Sequence, residues 1–188
     1  MKKLFFTLAL ALGVFTSAVA QEPGQMWVGG SLGFWSSKTK GSDSNVSYKI
    51  LPEFGYVLTE NLGIGINVGF EHDDALAIDG MDDLFEADGF TIAPFVRYSF
   101  LKGSIGALFV DGGVTYNYLK LKDVDDKLNQ FNIGFRPGVA VKVSDKIALT
   151  GKFGFLGYEH TKMGDVKNNA FGLNLDMTQF LLGATIVF

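Results

Sequence analysis

The sequence predicts an all-β fold, an eight-stranded antiparallel up-and-down β-barrel that crosses a membrane with strands. Three observations carry that prediction. Beyond residue 21 apolar side chains recur at every second position in eight successive stretches, the period of a strand with two unlike faces. Tight turns alternate with longer polar connections, so all short links fall at one end of the sheet. No run of eighteen apolar residues follows residue 21, which leaves no helical span to hold the chain in a bilayer. The composition agrees: 188 residues suit one domain, and 47% hydrophobic residues with only 19% charged ones give a chain too apolar for disorder.

Taken in order, Met1-Lys2-Lys3 and the apolar stretch Leu4 to Phe15 read as a signal peptide over residues 1–20. Ala18-Val19-Ala20 supplies the small residues a signal peptidase reads, with cleavage between Ala20 and Gln21. Residues 21–188 then form the barrel domain. Its first seven strands are marked by Val28/Leu32/Phe34, Tyr48/Ile50/Phe54/Tyr56/Leu58, Leu62/Ile64/Ile66/Val68/Phe70, Phe90/Ile92/Val96/Tyr98/Phe100, Leu108/Val110/Val114/Tyr116/Tyr118, Phe131 to Val143 in steps of two, and Ile147/Leu149/Phe153/Phe155. The eighth steps back from the last residue through Phe188, Ile186, Ala184, Leu182 and Phe180. Leu173, Leu175 and Met177 lie on the opposite phase, which predicts either a bulge near 176–179 or a rim that is not embedded. Short turns fall at Thr59–Asn61, Leu101–Ser104 and Ser144–Lys146, and long loops at about 37–45, 72–88, 121–128 and 161–169.

The apolar face decides between water and lipid. A soluble barrel keeps aliphatic residues inside, whereas here the opposite face is rich in glycine and carries lysine, arginine, glutamate and aspartate. That face suits a crowded lumen, and burying it in a β-sandwich would leave charges unpaired. The apolar face then points to lipid, with aromatic girdles of Tyr56, Tyr98, Phe100 and Phe188 at the short-turn rim. Phe34, Tyr48, Phe70, Phe90 and Tyr116 form the girdle at the loop rim. Pro52, Pro94 and Pro137 strain this reading, because each lies mid-strand on the outward face; bulges there would relieve the lost ladder donors.

On these features the chain resembles the eight-stranded outer-membrane barrels of Gram-negative bacteria, the OmpA-transmembrane-domain and OmpX-like porin family. The resemblance covers 21–188 and ends on Thr185-Ile186-Val187-Phe188. It implies a bacterial outer-membrane location, contact with outer-membrane lipid and lipopolysaccharide, and a monomer. It also implies a C-terminal signal for the barrel-assembly machinery, matched by Phe180, Leu182, Ile186 and Phe188, with Ala184 the weaker position.

An eight-stranded lumen is about wide enough for side chains to fill. Counting from the tight turns brings Glu53, Asp111, Arg136 and Lys152 to similar height with Arg97 slightly lower, and these five are expected to form an ion-pair network that plugs the barrel. A structural or surface-interacting role follows, with a narrow porin for ions or small solutes as the alternative. Among the other classes, 20 acidic against 16 basic residues disfavour nucleic acid. The lack of cysteine removes thiol chemistry and zinc–thiolate sites. The acidic segment 72–88 lacks the ordered spacing of a calcium loop, so neither metal nor cofactor is expected. His72 and His160 near the loop rim are the only histidines, as a lipid-modifying barrel enzyme would need, yet no serine follows His160 at the spacing lipid deacylases use; no enzyme is expected.

Overall fold

A computed structural model describes residues 22–38, 44–77, 84–122, 127–164, 166–175 and 180–188. The leader with its Ala20/Gln21 cleavage point and the bulge expected near 176–179 lie outside them. The described residues form ten strands: β1 (Met26–Lys38), β2 (Ser44–Val57), β3 (Leu62–Ala77), β4 (Leu84–Gly103), β5 (Gly106–Leu121), β6 (Lys127–Lys142), β7 (Ile147–Lys152), β8 (Phe155–Met163), β9 (Val166–Asn174) and β10 (Leu181–Val187). They make eight passes, because β7 and β8 both pair with β6 and together form the seventh, while β9 and β10 continue one another as the eighth. Every pairing is antiparallel between neighbouring passes, and β10 returns to β1 from Trp27↔Val187 to Leu32↔Leu182, which closes the barrel. Among the described residues β1 and β9 are not paired above Leu32.

The period-2 pattern becomes inside and outside as expected. On β2, Leu51, Glu53 and Val57 are buried while Ile50, Phe54 and Tyr56 are exposed. Phe54 at 49%, Val96 at 45%, Ile133 at 49%, Leu149 at 47% and Leu182 at 57% exposure belong to one continuous apolar belt. An apolar belt of that extent has no place in water and matches the hydrocarbon layer. All nine girdle residues named above are exposed on it. The start of β1 and the C-terminal residue meet at the short-turn rim, where Met26 and Phe188 exchange backbone hydrogen bonds of 2.9 Å.

Three expectations need correction. The loops are shorter than read: β3 and β4 run on to Ala77 and from Leu84, so Asp73, Asp74, Glu86 and Asp88 are strand residues, and 161–169 contains the β8–β9 hairpin. Charged side chains do not end a strand that has risen out of lipid, because both faces then meet water. The prolines also differ from one another. Pro52 pairs across Gly30 but has no partner on β3, and Pro94 pairs across Ile66 but has none on β5, with the register unchanged on both sides. There the missing N–H falls in a local gap of one ladder, without a bulge. Pro137 does sit at a shift, since Phe135↔Leu156 and Gly138↔Lys152 differ in register by one residue. The extra residue is taken up at Phe153-Gly154, with Gly154 in the left-handed region at φ +66°, which glycine adopts without strain. This inverts the phase of the seventh pass. Phe155, expected on the lipid face, borders the lumen, and Leu156 and Tyr158 point outward instead.

Candidate functional site

The lumen is closed at one level by four charged side chains from four passes. Glu53 on β2, Arg97 on β4, Asp111 on β5 and Lys152 on β7 are 3%, 7%, 7% and 4% exposed. Arg97 holds Asp111 in a two-pronged contact, Nε to Oδ1 at 2.7 Å and Nη2 to Oδ2 at 2.8 Å. Its Nη2 also lies 3.0 Å from Glu53 Oε1. Lys152 Nζ lies 2.6 Å from Glu53 Oε2 and 3.1 Å from Asp111 Oδ2, which completes a ring with two charges of each sign. Since β2 and β7 are separated by β1 and β10, the Glu53–Lys152 contact crosses the lumen.

Aromatic rings pack the space around these charges. Trp27 donates its indole N–H to Glu53 Oε1 at 2.8 Å, and the Arg97 guanidinium carbon lies 5.4, 5.0 and 4.3 Å from the ring centres of Trp27, Phe95 and Phe109. Such contacts favour a desolvated cation. Glycines on the same face make the room: a Cβ at Gly55 or Gly63 would enter the Trp27 ring, one at Gly65 the Phe95 ring, and one at Gly138 the Phe109 ring. A second buried cluster of Ala87, Leu119, Leu121, Leu128 and Met163 fills the lumen near the loop end of β4, β5, β6 and β8.

Four of the five residues expected in the network are thus brought together, and Arg136 is not. It stands opposite Asp111 in the β5–β6 register, but both Asp111 oxygens are already held by Arg97 and Lys152. Its Nε donates to the Gly154 carbonyl at 3.3 Å and its guanidinium lies 5.8 Å from the Phe155 ring centre. Sequence reasoning also missed Trp27, Phe95 and Phe109 as partners of the ring. Their phase, opposite to Val28, Val96 and Val110, was the available signal.

A second polar group sits on the outer surface beyond the loop-side girdle. His72 Nδ1 lies 2.6 Å from Asp88 Oδ1 and its Nε2 lies 2.8 Å from Asp74 Oδ1. Two acceptors on one imidazole require both nitrogens to donate, so hydrogen bonding to Asp88 first, and then to Asp74, raises the His72 pKa above its ordinary value. Lys122 pairs with Glu86 and, at 3.1 Å, with Asp88. His72, Asp74 and Glu86 lie close enough to share an ion, but His72 and Glu86 are already engaged by charged partners. His160 lies apart from this group, with Nδ1 2.7 Å from Asn169 Oδ1, an oxygen that Tyr158 also bonds at 2.6 Å. At the C-terminus Phe180, Leu182, Ile186 and Phe188 are all exposed.

A charge-filled lumen inside an apolar belt defines an integral outer-membrane β-barrel. Residues 6–178 match the family described as "Outer membrane protein beta-barrel domain", and the chain belongs to that family, which places it in the bacterial outer membrane. In fold it is similar to Neisserial surface protein A, with 18% identity, a TM-score of 0.55 and coverage of 88% of this chain and 97% of that one. It is likewise similar to the outer membrane protein OprG from Pseudomonas aeruginosa, with 12% identity, a TM-score of 0.57 and coverage of 92% and 99%. The attachment invasion locus protein Ail of Yersinia pestis aligns at 11% identity and a TM-score of 0.45, covering 88% and 99%. No curated protein sequence matched the chain.

Proposed function

We propose that this protein is a non-conducting outer-membrane barrel whose role is structural or surface-interacting, exerted through its loop rim and outer wall. The observation that supports this reading is the Glu53–Arg97–Asp111–Lys152 ring, in which both carboxylates and both cations are engaged by one another at a single level of the lumen. An ion crossing there would have to replace short, desolvated contacts, and the rings of Trp27, Phe95 and Phe109 occupy the space beside them. The reading includes a monomer embedded in lipid and in contact with lipopolysaccharide, delivered by the barrel-assembly machinery through Phe180, Leu182, Ile186 and Phe188. It also includes no enzymatic role. His72 is held between two aspartates and His160 rests on an asparagine, so neither is paired with a nucleophile among the described residues.

The test is single-channel recording of refolded protein in a planar bilayer, with heat-modifiable gel migration to verify the barrel. A folded protein without discrete steps is the expected result. Steps whose conductance changes in Asp111→Asn would establish the narrow porin instead.

A further inference from the structure

Between the charge ring and the apolar cluster at the loop end lies a cavity of about 80 Å³. That volume holds a few waters or one small solute. Its wall is mixed, with Ser31, Asn67, Thr91, Thr115, Asn132 and Arg136 supplying polar groups beside apolar residues such as Phe95 and Leu181. Three of these groups have unmet bonding capacity. The Asn67 and Asn132 side-chain amides each leave a buried Oδ1 without a hydrogen-bond partner. Arg136 has no ion-paired carboxylate among the described residues, and only its Nε is bonded, to the Gly154 carbonyl.

Charge decides what such a cavity accepts. The ring below is balanced, two against two, and the nearby Lys49 is neutralised by Glu71. Asp111 and Glu159 are the carboxylates whose fields reach Arg136, but the first is saturated by Arg97 and Lys152, and the second forms no ion pair with it. One guanidinium therefore faces the cavity with four N–H donors on its Nη atoms uncommitted. The amides of Asn67 and Asn132 turn to offer NH₂ in place of oxygen at no covalent cost, since the two orientations differ by a rotation. Among the described residues the β1–β10 ladder ends at Leu32 and Leu182, beside the cavity-lining Ser31 and Leu181.

We infer that the loop-side half of the lumen is a blind polar cup that binds a small oxyanion, a carboxylate or phosphate group of a few heavy atoms, with Arg136 as the binding cation and Asn67 and Asn132 as auxiliary donors. The inference rests on the plugged reading above, since the ring is the floor of the cup. A guanidinium fork matches the two oxygens of such a group, whereas a spherical halide uses only one direction.

The experiment is titration of refolded, gel-verified protein with sodium acetate and with sodium phosphate at constant ionic strength, using chloride as the control. Melting temperature and the Arg136 Nε–Hε NMR resonance are followed. A saturable shift of that resonance and a rise in melting temperature with one or both oxyanions, but not chloride, are expected; acetate and phosphate separate the two chemical sources. In Arg136→Gln the apparent affinity should fall by about tenfold or more, the loss of a charge-assisted contact. Arg136→Lys should retain part of it. A resonance unmoved by either oxyanion in the folded wild type overturns the site, and so does equal affinity in Arg136→Gln. Discrete channel steps in the bilayer would instead overturn the plugged reading, independently of whether the anion binds.

Discussion

Removing Lys152 is the sharpest perturbation of the barrel interior. Its buried Nζ contacts Glu53 at 2.6 Å and Asp111 at 3.1 Å, so Lys152→Met leaves two buried carboxylates facing the single Arg97 guanidinium. Stripping one partner from a buried ion pair costs about 3–5 kcal/mol, because the remaining charge stays desolvated. Glu53→Gln produces the opposite imbalance, two cations against Asp111, and should cost a similar amount; its amide oxygen still accepts from Trp27 Nε1. The double replacement restores neutrality and keeps the two-pronged Arg97–Asp111 pair at 2.7 and 2.8 Å. Its cost should therefore fall well below the sum of the singles, with a coupling of at least about 2 kcal/mol. Equilibrium urea unfolding in lipid vesicles, read by tryptophan fluorescence and heat-modifiable migration, measures all four species. Additive singles, with coupling under about 0.5 kcal/mol, would refute the ring as a cooperative unit.

Other outcomes follow from the same geometry. Arg136→Met, outside the ring, should lower stability by less than about 1 kcal/mol in the same assay, since it gives up one long hydrogen bond rather than an ion pair; a loss equal to that of Lys152→Met would restore it to the network. Gly55→Val inserts atoms into the space of the Trp27 ring and should cost at least about 1–3 kcal/mol, with a shifted tryptophan emission maximum; unchanged emission and stability would contradict the packing. The His72 pKa is raised in the folded state, so its bridge between β3 and β4 stabilises fully below the unfolded value of about 6.5 and is lost as pH rises through the folded value. Amide exchange at the outer ends of β3 and β4, corrected for its intrinsic rise with pH, should accelerate as pH climbs through the raised folded value, and an NMR titration that puts His72 at or below 6.5 would dispose of the bridge.

How much of this is readable in the sequence depends on the distance over which each determinant acts. Strand number, facing and the lipid belt follow from a two-residue period, and hence Val28, Ile64 and Leu182 are placed correctly without knowledge of any partner. Ring membership is harder, because a height count finds inward charges at one level but does not say which of them wins a shared carboxylate. Arg136 is the register neighbour of Asp111, yet Arg97 and Lys152 saturate both oxygens; that competition is decided in three dimensions. The upper strand ends were missed for another reason. Above the girdle, Asp73, Asp74, Glu86 and Asp88 look like loop residues because polarity there reports water, not irregular backbone. The phase inversion at Phe153-Gly154 comes with a one-residue register shift against β6 beside Pro137, which local alternation cannot register.

A ring of buried charge is an expensive way to fill a lumen, and its advantage lies in specifying which face is which. An interior of well-packed apolar residues is often as stable as a buried ion pair. In a membrane barrel, however, an apolar lumen would leave strands with two similar faces, and a slip of one residue would then exchange inside for outside at little cost. With Glu53, Arg97, Asp111 and Lys152 on the lumen face, the slipped arrangement exposes charge to hydrocarbon. The cost reaches about 2–4 kcal/mol for each lysine or arginine at the bilayer midplane, and less for each carboxylate. The glycines reinforce this, because Gly55, Gly63, Gly65 and Gly138 accommodate the Trp27, Phe95 and Phe109 rings on the lumen side only. Ring and glycines together disfavour inverted registers, and the same arrangement that closes the lumen thereby fixes the outer wall on which any surface role depends.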